Sequence, residues 1–225
     1  MKKEEVCVLI PAYNQENEAP LVAGQVKGMG FPVLVVDDGS TDRTCQNIQA
    51  LGFTHISYKP NQGKGAALRK GIDWFLDHKE YTGLVMMDAD GQHDAKELTL
   101  FYEALENGLA DIVVGNRMTR SGNMPRIRWA TNFIMSKLIS LTAGQKIPDS
   151  QCGYRAMKRE VLEKIQLRSR HFEIESELLL EASRHGFKTA SIPIACIYKQ
   201  EISHINPLLD TGRFFLFLAQ YFFRE

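Results

Sequence analysis

The sequence is poor in several things, and each shortage closes off a class of protein. Only four cysteines occur, Cys7, Cys45, Cys152 and Cys196, widely spaced and with no CxxC pair. Neither a zinc ribbon nor a disulfide framework is written here, and reduced thiols in a cytosolic setting are the expectation. Long hydrophobic runs are missing as well. The apolar stretch near the start, Val6 to Ile10, is shorter than the roughly 7 to 15 residues of a signal peptide's core. The other suspect, FFLFLAQYFF at 214–223, falls well short of the roughly 20 residues a membrane span requires. Charge of one sign is not in excess: 27 basic and 27 acidic residues give a net charge of +0, so no nucleic-acid footprint is expected and any phosphate-binding charge must be local. Linkers, repeats and low-complexity tracts are absent too, which favours one domain over 1–225.

What is present is an alternation. Short apolar runs at Val6–Ile10, Val33–Asp37, His55–Tyr58, Leu84–Asp88 and Ile112–Gly115 are separated by helical patterns. Those patterns include DRTCQNIQAL after a cap-like Thr41, the run from Gly65 to Leu76, and AKELTLFYEAL between Asp94 and Gly108. Strands alternating with helices specify an α/β fold with a mostly parallel central sheet flanked by helices. Ligands bind such sheets at the carboxyl ends of the strands. Pro11, Tyr13, Asn14, Asp37, Asp38, Asp88 and Asp90 all fall at or just past such ends and are expected on one rim. Beyond about Ser121 the pattern becomes helix-rich: Trp129–Thr142, a polar loop at 147–154, a helix over Ile174–His185 and a strand-like KTASIPIACIY.

The segment LVMMDADGQH carries the most chemistry, because Asp88 and Asp90 stand two apart at a strand end, followed by Gln92. Residues two apart on a strand face one side, and such hard oxygens suit Mg²⁺ or Mn²⁺ shared with substrate phosphates. A bare DxD is also an ordinary polar turn. In VLVVDDGSTDRT a carboxylate of Asp37 or Asp38 could accept a base's ring N–H, or the pair could simply build the strand-to-helix turn. Lys64 and Arg69 in NQGKGAALRKG face either donor phosphates or solvent. That segment lacks the third glycine of a dinucleotide fingerprint and follows the third strand, and no GxxxxGK[ST] exists, which disfavours dehydrogenases and P-loop enzymes.

Taken in order, PAYN, VVDDGSTD, NQGKGAALRKG, DADGQ and GNR resemble glycosyltransferase family 2, and within it the polyprenyl-phosphate sugar synthases such as the dolichyl-phosphate mannose synthases. The resemblance implies a GT-A fold with a Rossmann-like nucleotide-sugar and metal half at 1–118 and an acceptor half at 119–225 ending in an amphipathic helix. By it, Pro11, Tyr13, Asn14, Asp37, Asp38, Lys64 and Asp88 hold the nucleotide, and Asp88, Asp90 and Gln92 hold the ion. Asp90, Arg117 and Arg213 lie closest to the chemistry. DSQCGYRAM and YKQEISHINPLLDTGRFF also resemble segments of the family and put Asp149, Gln151, Arg155 and His204 on the acceptor side, where Glu175 of FEIESELLLEA is a further candidate. One departure is Gln15, where the family reads Glu, with Glu16 displaced by one.

The implied activity is inverting transfer of a hexose from a nucleotide-diphosphate sugar to a polyprenyl phosphate of the dolichyl or undecaprenyl type. Two alternatives stand beside it: a family 2 enzyme acting on a saccharide or other hydroxyl, and a catalytically silent nucleotide-sugar binding module. A hydroxyl acceptor needs a general base, with Glu173, Glu175 and Asp149 as candidates, whereas a phosphate is already an anion. The alternate glutamates at 173, 175 and 177 cannot share one helix face, so at most two look into a site. Arg117, Arg120, Arg126 and Arg128 precede the apolar helix WATNFIMSKLISLTA. With the aromatic C-terminal helix this implies a cytoplasmic protein in peripheral contact with the membrane, where a lipid-linked phosphate would be met.

Overall fold

A computed structural model describes residues 1–119, 124–195, 197 and 207–223. The chain runs β1 (Val6–Ala12), α1 (Glu18–Gly28), β2 (Val33–Asp37), α2 (Thr44–Ala50), β3 (Thr54–Ser57), α3 (Lys64–Asp77), β4 (Gly83–Met86), α4 (Leu98–Glu106), β5 (Ile112–Asn116), α5 (Arg126–Ala143), β6 (Arg155–Lys158), α6 (Arg159–Lys164), α7 (Ile174–Arg184), β7 (Thr189–Pro193) and α8 (Pro207–Phe222). Seven strands form one sheet in the order β3-β2-β1-β4-β6-β5-β7. Every residue of β2, β4 and β5 is buried, as expected of strands covered on both faces, which is why they read as continuous apolar runs.

β1 pairs in parallel with both β2 and β4, with Ala12 opposite Asp37 and Leu9 opposite Met86. The loops that leave these three neighbouring strands therefore emerge side by side, bringing 11–14, 37–40 and 87–92 to one rim. β6 runs antiparallel between β4 and β5. The halves drawn at residues 118 and 119 share this one sheet, since β6 of the later half is inserted between two strands of the earlier one.

Three local expectations are corrected. β6 lies just past the polar loop expected at 147–154 and was not expected as a strand; RAMK is too short to show a period, and its strand state comes from two antiparallel partners. β4 ends at Met86, so Asp88 and Asp90 occupy the turn after the strand instead of its last pleat. Helix α2 starts at Thr44 and is not capped by Thr41. The Asp42 carboxylate takes the Thr44 N–H, while Thr41 donates its N–H to the Asn14 side chain at 2.8 Å.

The end of α3 shows how side chains replace missing backbone partners. The last carbonyls of a helix lack intrahelical donors, and here no glycine closes the turn. Arg159 instead donates to the carbonyls of Phe75, Leu76, His78 and Tyr81, with its guanidinium 4.6 Å from the Phe75 ring centroid. α6 is thereby fixed against the C-terminus of α3.

Asp111 performs a similar task at the other end of the sheet. Its carboxylate accepts the Lys158 ammonium at 2.8 Å and the Lys188 N–H at 2.9 Å, joining the segments that lead into β5, out of β6 and into β7. Partial burial alone would raise its pKa, but those two donors outweigh it and hold the carboxyl below its ordinary 3.8. A group whose folded pKa is depressed contributes stability that is complete above 3.8 and is lost as pH falls through the lower, folded value. Asp111→Asn is therefore expected to be less stable than wild type near pH 7, with the gap closing below pH 3.8. Urea midpoints measured across that range check this; a pH-independent gap would contradict it.

Candidate active site

The rim above β2, β1 and β4 is tied together by polar side chains. Asn14 adopts a left-handed backbone, φ 52°, unusual for a residue with a Cβ but tolerated by Asn. In that conformation its N–H donates to Ser40 Oγ at 2.9 Å and its Oδ1 accepts the Thr41 N–H, so the β1 loop is fastened to the β2 loop. The neighbouring Gln15 N–H donates to Thr44 Oγ1, and Glu16 accepts the Arg43 N–H.

Asp37 and Asp38 are both buried. Asp37 accepts Ser57 Oγ at 2.9 Å and the Ser40 N–H at 3.2 Å. Asp38 accepts the N–H groups of Gln62 and Gly63, each at 2.8 Å, and the Asn61 amide at 2.9 Å. The carboxylates thus brace the turn and the 61–63 loop, which is the turn-building alternative weighed from the sequence. Asp38 in particular sets the course of the chain into α3, whose first residue is Lys64.

Lys64 is the centre of the site. Its ammonium lies 2.6 Å from Asp88 Oδ1 and 2.7 Å from Glu175 Oε1, joining the β4 loop to the first turn of α7. Burial by itself would lower the lysine's pKa, but the two carboxylates outweigh that and raise it. Burial would likewise raise that of Asp88; the Lys64 charge, followed by His93, turns the balance and holds the carboxyl well below the usual range. Asp90 is pushed upward by its own burial and then by the charge of Asp88 beside it, against a hydrogen bond from the Gln92 N–H at 2.9 Å. A pocket lined by Pro11, Lys64, Asp88, Gly153, Arg155 and Glu175 opens between these groups.

Asp88, Asp90 and Gln92 offer hard oxygen donors, the kind Mg²⁺ and Mn²⁺ take. One of those oxygens already holds a cation, the Lys64 ammonium. Among the described residues no group of three or more His, Cys, Asp or Glu side chains could hold an ion alone. Two carboxylates and an amide would suit a divalent ion only if water and substrate phosphate supplied its other ligands.

Just past the end of β5, Arg117 and Asp149 form a two-pronged pair: Nε to Oδ2 at 2.8 Å and Nη2 to Oδ1 at 3.0 Å, with the Arg117 N–H also donating to Oδ2. Asp149 is completely buried and both its oxygens are engaged, which removes it from the list of general bases and makes it the holder of Arg117. Arg155 is buried too. It donates to the carbonyls of Ser150, Cys152 and Glu175, fastening the 149–153 loop to α7. Gln151 donates to Ser150 Oγ and Ser176 Oγ. Of the three alternate glutamates, Glu175 faces the pocket, whereas Glu177 accepts the N–H groups of Arg168 and Ser169. Glu173 keeps a buried Oε2 with no hydrogen-bond partner.

A family model, Glycosyl transferase family 2, matches residues 7–166. The chain belongs to glycosyl transferase family 2. Among curated family 2 relatives, glycosyltransferase AglJ of Haloferax volcanii is 33% identical over 218 residues, 95% of this chain and 70% of that one. Polyprenol monophosphomannose synthase of Mycolicibacterium smegmatis is 34% identical over 206 residues, 85% of this chain and 77% of that one. Among solved structures, glucosyl-3-phosphoglycerate synthase of Mycobacterium tuberculosis, in complex with Mn²⁺, UDP-glucose and phosphoglyceric acid, matches with a TM-score of 0.69 at 18% identity, covering 96% of this chain and 78% of that one. The fold is that of the GT-A glycosyltransferases, and the protein is a glycosyltransferase.

Several expected family 2 positions meet at this rim: Pro11, Asp88 and Lys64 around one pocket, with Arg155 and Glu175 across from them. Arg213 lies on α8. Ser203 and His204, and the Arg120 of the basic cluster, lie outside the described residues. Two features of the site were not read from the sequence. One is the bridge from Asp88 through Lys64 to Glu175, which spans 111 positions and leaves no local signal. The other is Gly153, where an added Cβ would sit 2.5 Å from Asp88 Oδ2; the CG pair in the D-x-Q-C-G segment was the available clue.

Because the atoms in the way are the tip of the Asp88 side chain, Gly153→Ala should displace that carboxylate and leave the backbone in place. We expect sugar transfer to fall about 100-fold, the cost of a roughly 1 Å misplacement at a reacting centre. The thermal midpoint should shift by no more than about 4 °C. Parallel activity and melting measurements check this; full activity in a folded variant would contradict it.

Proposed function

We propose that the protein transfers a hexose from a nucleotide-diphosphate sugar to a polyprenyl phosphate, with inversion at the sugar carbon, and that it depends on Mg²⁺ or Mn²⁺. The observation that carries this reading is the pairing of Asp88 and Asp90 on the rim beside a buried lysine, together with Arg117, held by Asp149 just past the end of β5. Relatives named for polyprenyl phosphate acceptors support the acceptor class. They include the Mycolicibacterium enzyme and an undecaprenyl-phosphate mannosyltransferase of Micrococcus luteus, 29% identical over 213 residues.

In this reading Pro11, Tyr13 and Asn14 line the nucleotide side, with Asp37 and Asp38 holding the loops that shape it. Asp88, Asp90 and Gln92 hold the ion. When bound, a divalent ion neutralises charge on the departing diphosphate. Asp149 keeps the Arg117 guanidinium in one orientation, so that its positive charge is fixed in place before an anionic acceptor arrives, which is how preorganised electrostatics lower a barrier. Arg155, Gln151 and Glu175 shape the sugar and acceptor side; Arg213, on α8, and His204, which lies outside the described residues, are assigned to that side by the family likeness alone.

The state of the candidate bases favours a phosphate acceptor over a hydroxyl. Asp149 is held by Arg117 and Glu175 by Lys64, each in an ion pair, whereas Glu173 keeps a buried Oε2 with no hydrogen-bond partner. An acceptor that is already an anion needs none of them. The test is an assay with radiolabelled nucleotide sugars, Mn²⁺ and a polyprenyl phosphate. Wild type should form lipid-linked sugar, and Asp90→Asn should lose about 100-fold or more. Glu173→Gln should retain transfer to the lipid phosphate. No product from wild type would overturn the reading, and loss on Glu173→Gln would move it to a hydroxyl acceptor.

We also propose peripheral contact with the cytoplasmic face of a membrane. No helix among the described residues is long and apolar enough to cross one. Yet α5 exposes Ile127, Trp129, Phe133, Ile134 and Leu141, with Trp129 and Phe133 stacked at 5.3 Å, beside the exposed Arg126. α8 buries Phe214, Phe217, Leu218 and Tyr221 while exposing Phe215, Leu216 and Phe222, and Phe223 just after it is exposed too. Apolar side chains with basic ones at their edge fit an anionic lipid surface. The protein should co-sediment with anionic liposomes, and replacing Phe215, Leu216, Phe222 and Phe223 by serine should leave a folded protein in the supernatant. Equal pelleting of both forms would remove α8 from this proposal.

A further inference from the structure

Lys64 occupies an awkward place if Asp88 is to take a divalent ion. Its Nζ is 2.6 Å from Asp88 Oδ1, so an ion bound to that oxygen and the ammonium where it now lies would be like charges in contact. One of the groups must move. Asp88 cannot retreat toward Gly153, which lies so close that a single added carbon there would reach 2.5 Å from Oδ2. Glu175 is anchored as well: its backbone carbonyl accepts Arg155 Nη1 at 2.7 Å, and its Oε2 lies 3.8 Å from Arg155 Nη2.

Lys64 is the adaptable member. It is a long side chain at the first position of α3, directly after Gly63, whose φ of +94° only glycine adopts readily. It already touches a second carboxylate, Glu175 Oε1, at 2.7 Å. The Phe172 ring, with its centroid 5.7 Å from Nζ, offers the charge a further favourable surface on the α7 side. Leaving Asp88 therefore requires a small swing and no search for a new partner.

We propose that Lys64 is the resident cation of the free enzyme's donor site, and that it yields Asp88 to an incoming divalent ion by withdrawing onto Glu175. The inference rests on the reading of Asp88, Asp90 and Gln92 as the ion-holding group. Its physical content is a competition. In the free enzyme the ammonium cancels the charge of Asp88, and Glu175 sets how readily that ammonium can be given up, so Glu175 tunes ion affinity through Lys64 without touching the ion. Lys64 and Glu175 are then positioning residues of the ion site.

The experiment measures Mn²⁺ binding to the full-length protein, without sugar donor, by electron paramagnetic resonance of free Mn²⁺, for wild type, Asp90→Asn, Lys64→Met, Glu175→Gln and the Lys64→Met/Glu175→Gln double variant. Lys64→Met removes the competitor and should tighten binding. Glu175→Gln removes the retreat and should weaken it. In the Lys64→Met background, Glu175→Gln should have almost no effect, a departure from additivity of more than about threefold in Kd.

Two independent charge effects would instead multiply, and that result would overturn the inference while leaving the ion site intact. Wild type that binds no Mn²⁺, or binds it equally well as Asp90→Asn, would overturn the ion-site reading and this inference with it. Wild-type crystals soaked in MnCl₂ give a check independent of any variant's folding. Nζ should be found on Glu175 and out of hydrogen-bond reach of Asp88; an ion bound beside an unmoved Asp88–Lys64 pair would refute the exchange.

Discussion

A single ammonium shared by two carboxylates organises the rim. Lys64 is brought to Asp88 and Glu175 by the loop that Asp38 braces, and the contact joins three elements that are far apart in sequence: the start of α3, the turn after β4 and the first turn of α7. Around the pocket Asp88 and Glu175 face Lys64, with Arg155 close to Glu175, and Asp90 with the buried Asp37 and Asp38 lies on the same rim. Carboxylates so concentrated would repel a diphosphate that came without a cation, which is the electrostatic ground for the divalent ion proposed above.

The same interaction explains why the loops of the rim are so heavily cross-braced. Two carboxylates and a lysine in a partly dehydrated pocket attract and repel strongly, since low local dielectric magnifies both. Keeping them in register needs rigid surroundings. Asn14 in its left-handed conformation, Asp38 with its three donors, Asp42 at the start of α2 and Arg155 on three carbonyls each consume a polar group to immobilise backbone near the site. Gly63, Gly65 and Gly153 do the complementary job of permitting contact. Cβ atoms at the first two would meet His171 and Arg170, and one at the third would meet Asp88.

Much of the fold was legible because it is encoded locally. The runs at Val6, Val33 and Ile112 are apolar throughout, as strands covered on both faces must be, and helices between them announce parallel crossovers. β6 was not legible, since Arg155–Lys158 contains two basic residues and is a strand only through its non-local neighbours β4 and β5. The rim was legible to the level of strand ends, which is where the α/β rule operates. Which oxygens on that rim are free was not, because this depends on donors from other units: Asn61, Gln62 and Gly63 for Asp38, Lys64 for Asp88, Arg117 for Asp149. Adjacent aspartates at the end of β2 look alike in sequence whether they meet a ligand or a loop.

The Arg117–Asp149 pair follows a logic different from that of the Lys64 cluster. There the paired charges are matched one to one, and the pairing is geometric: Arg117 and Asp149 meet through two parallel hydrogen bonds, a fork that fixes orientation as well as distance. A lysine in place of Arg117 could keep the charge but not the fork. Breaking such a pair to expose the carboxylate as a base would leave a buried charge uncompensated, which is costly. An acceptor that brought its own negative charge would instead find a guanidinium already aimed and held, with no proton to remove. The arrangement therefore suits an enzyme whose nucleophile arrives ionised, and the burden of catalysis falls on where charges are held before the substrates enter.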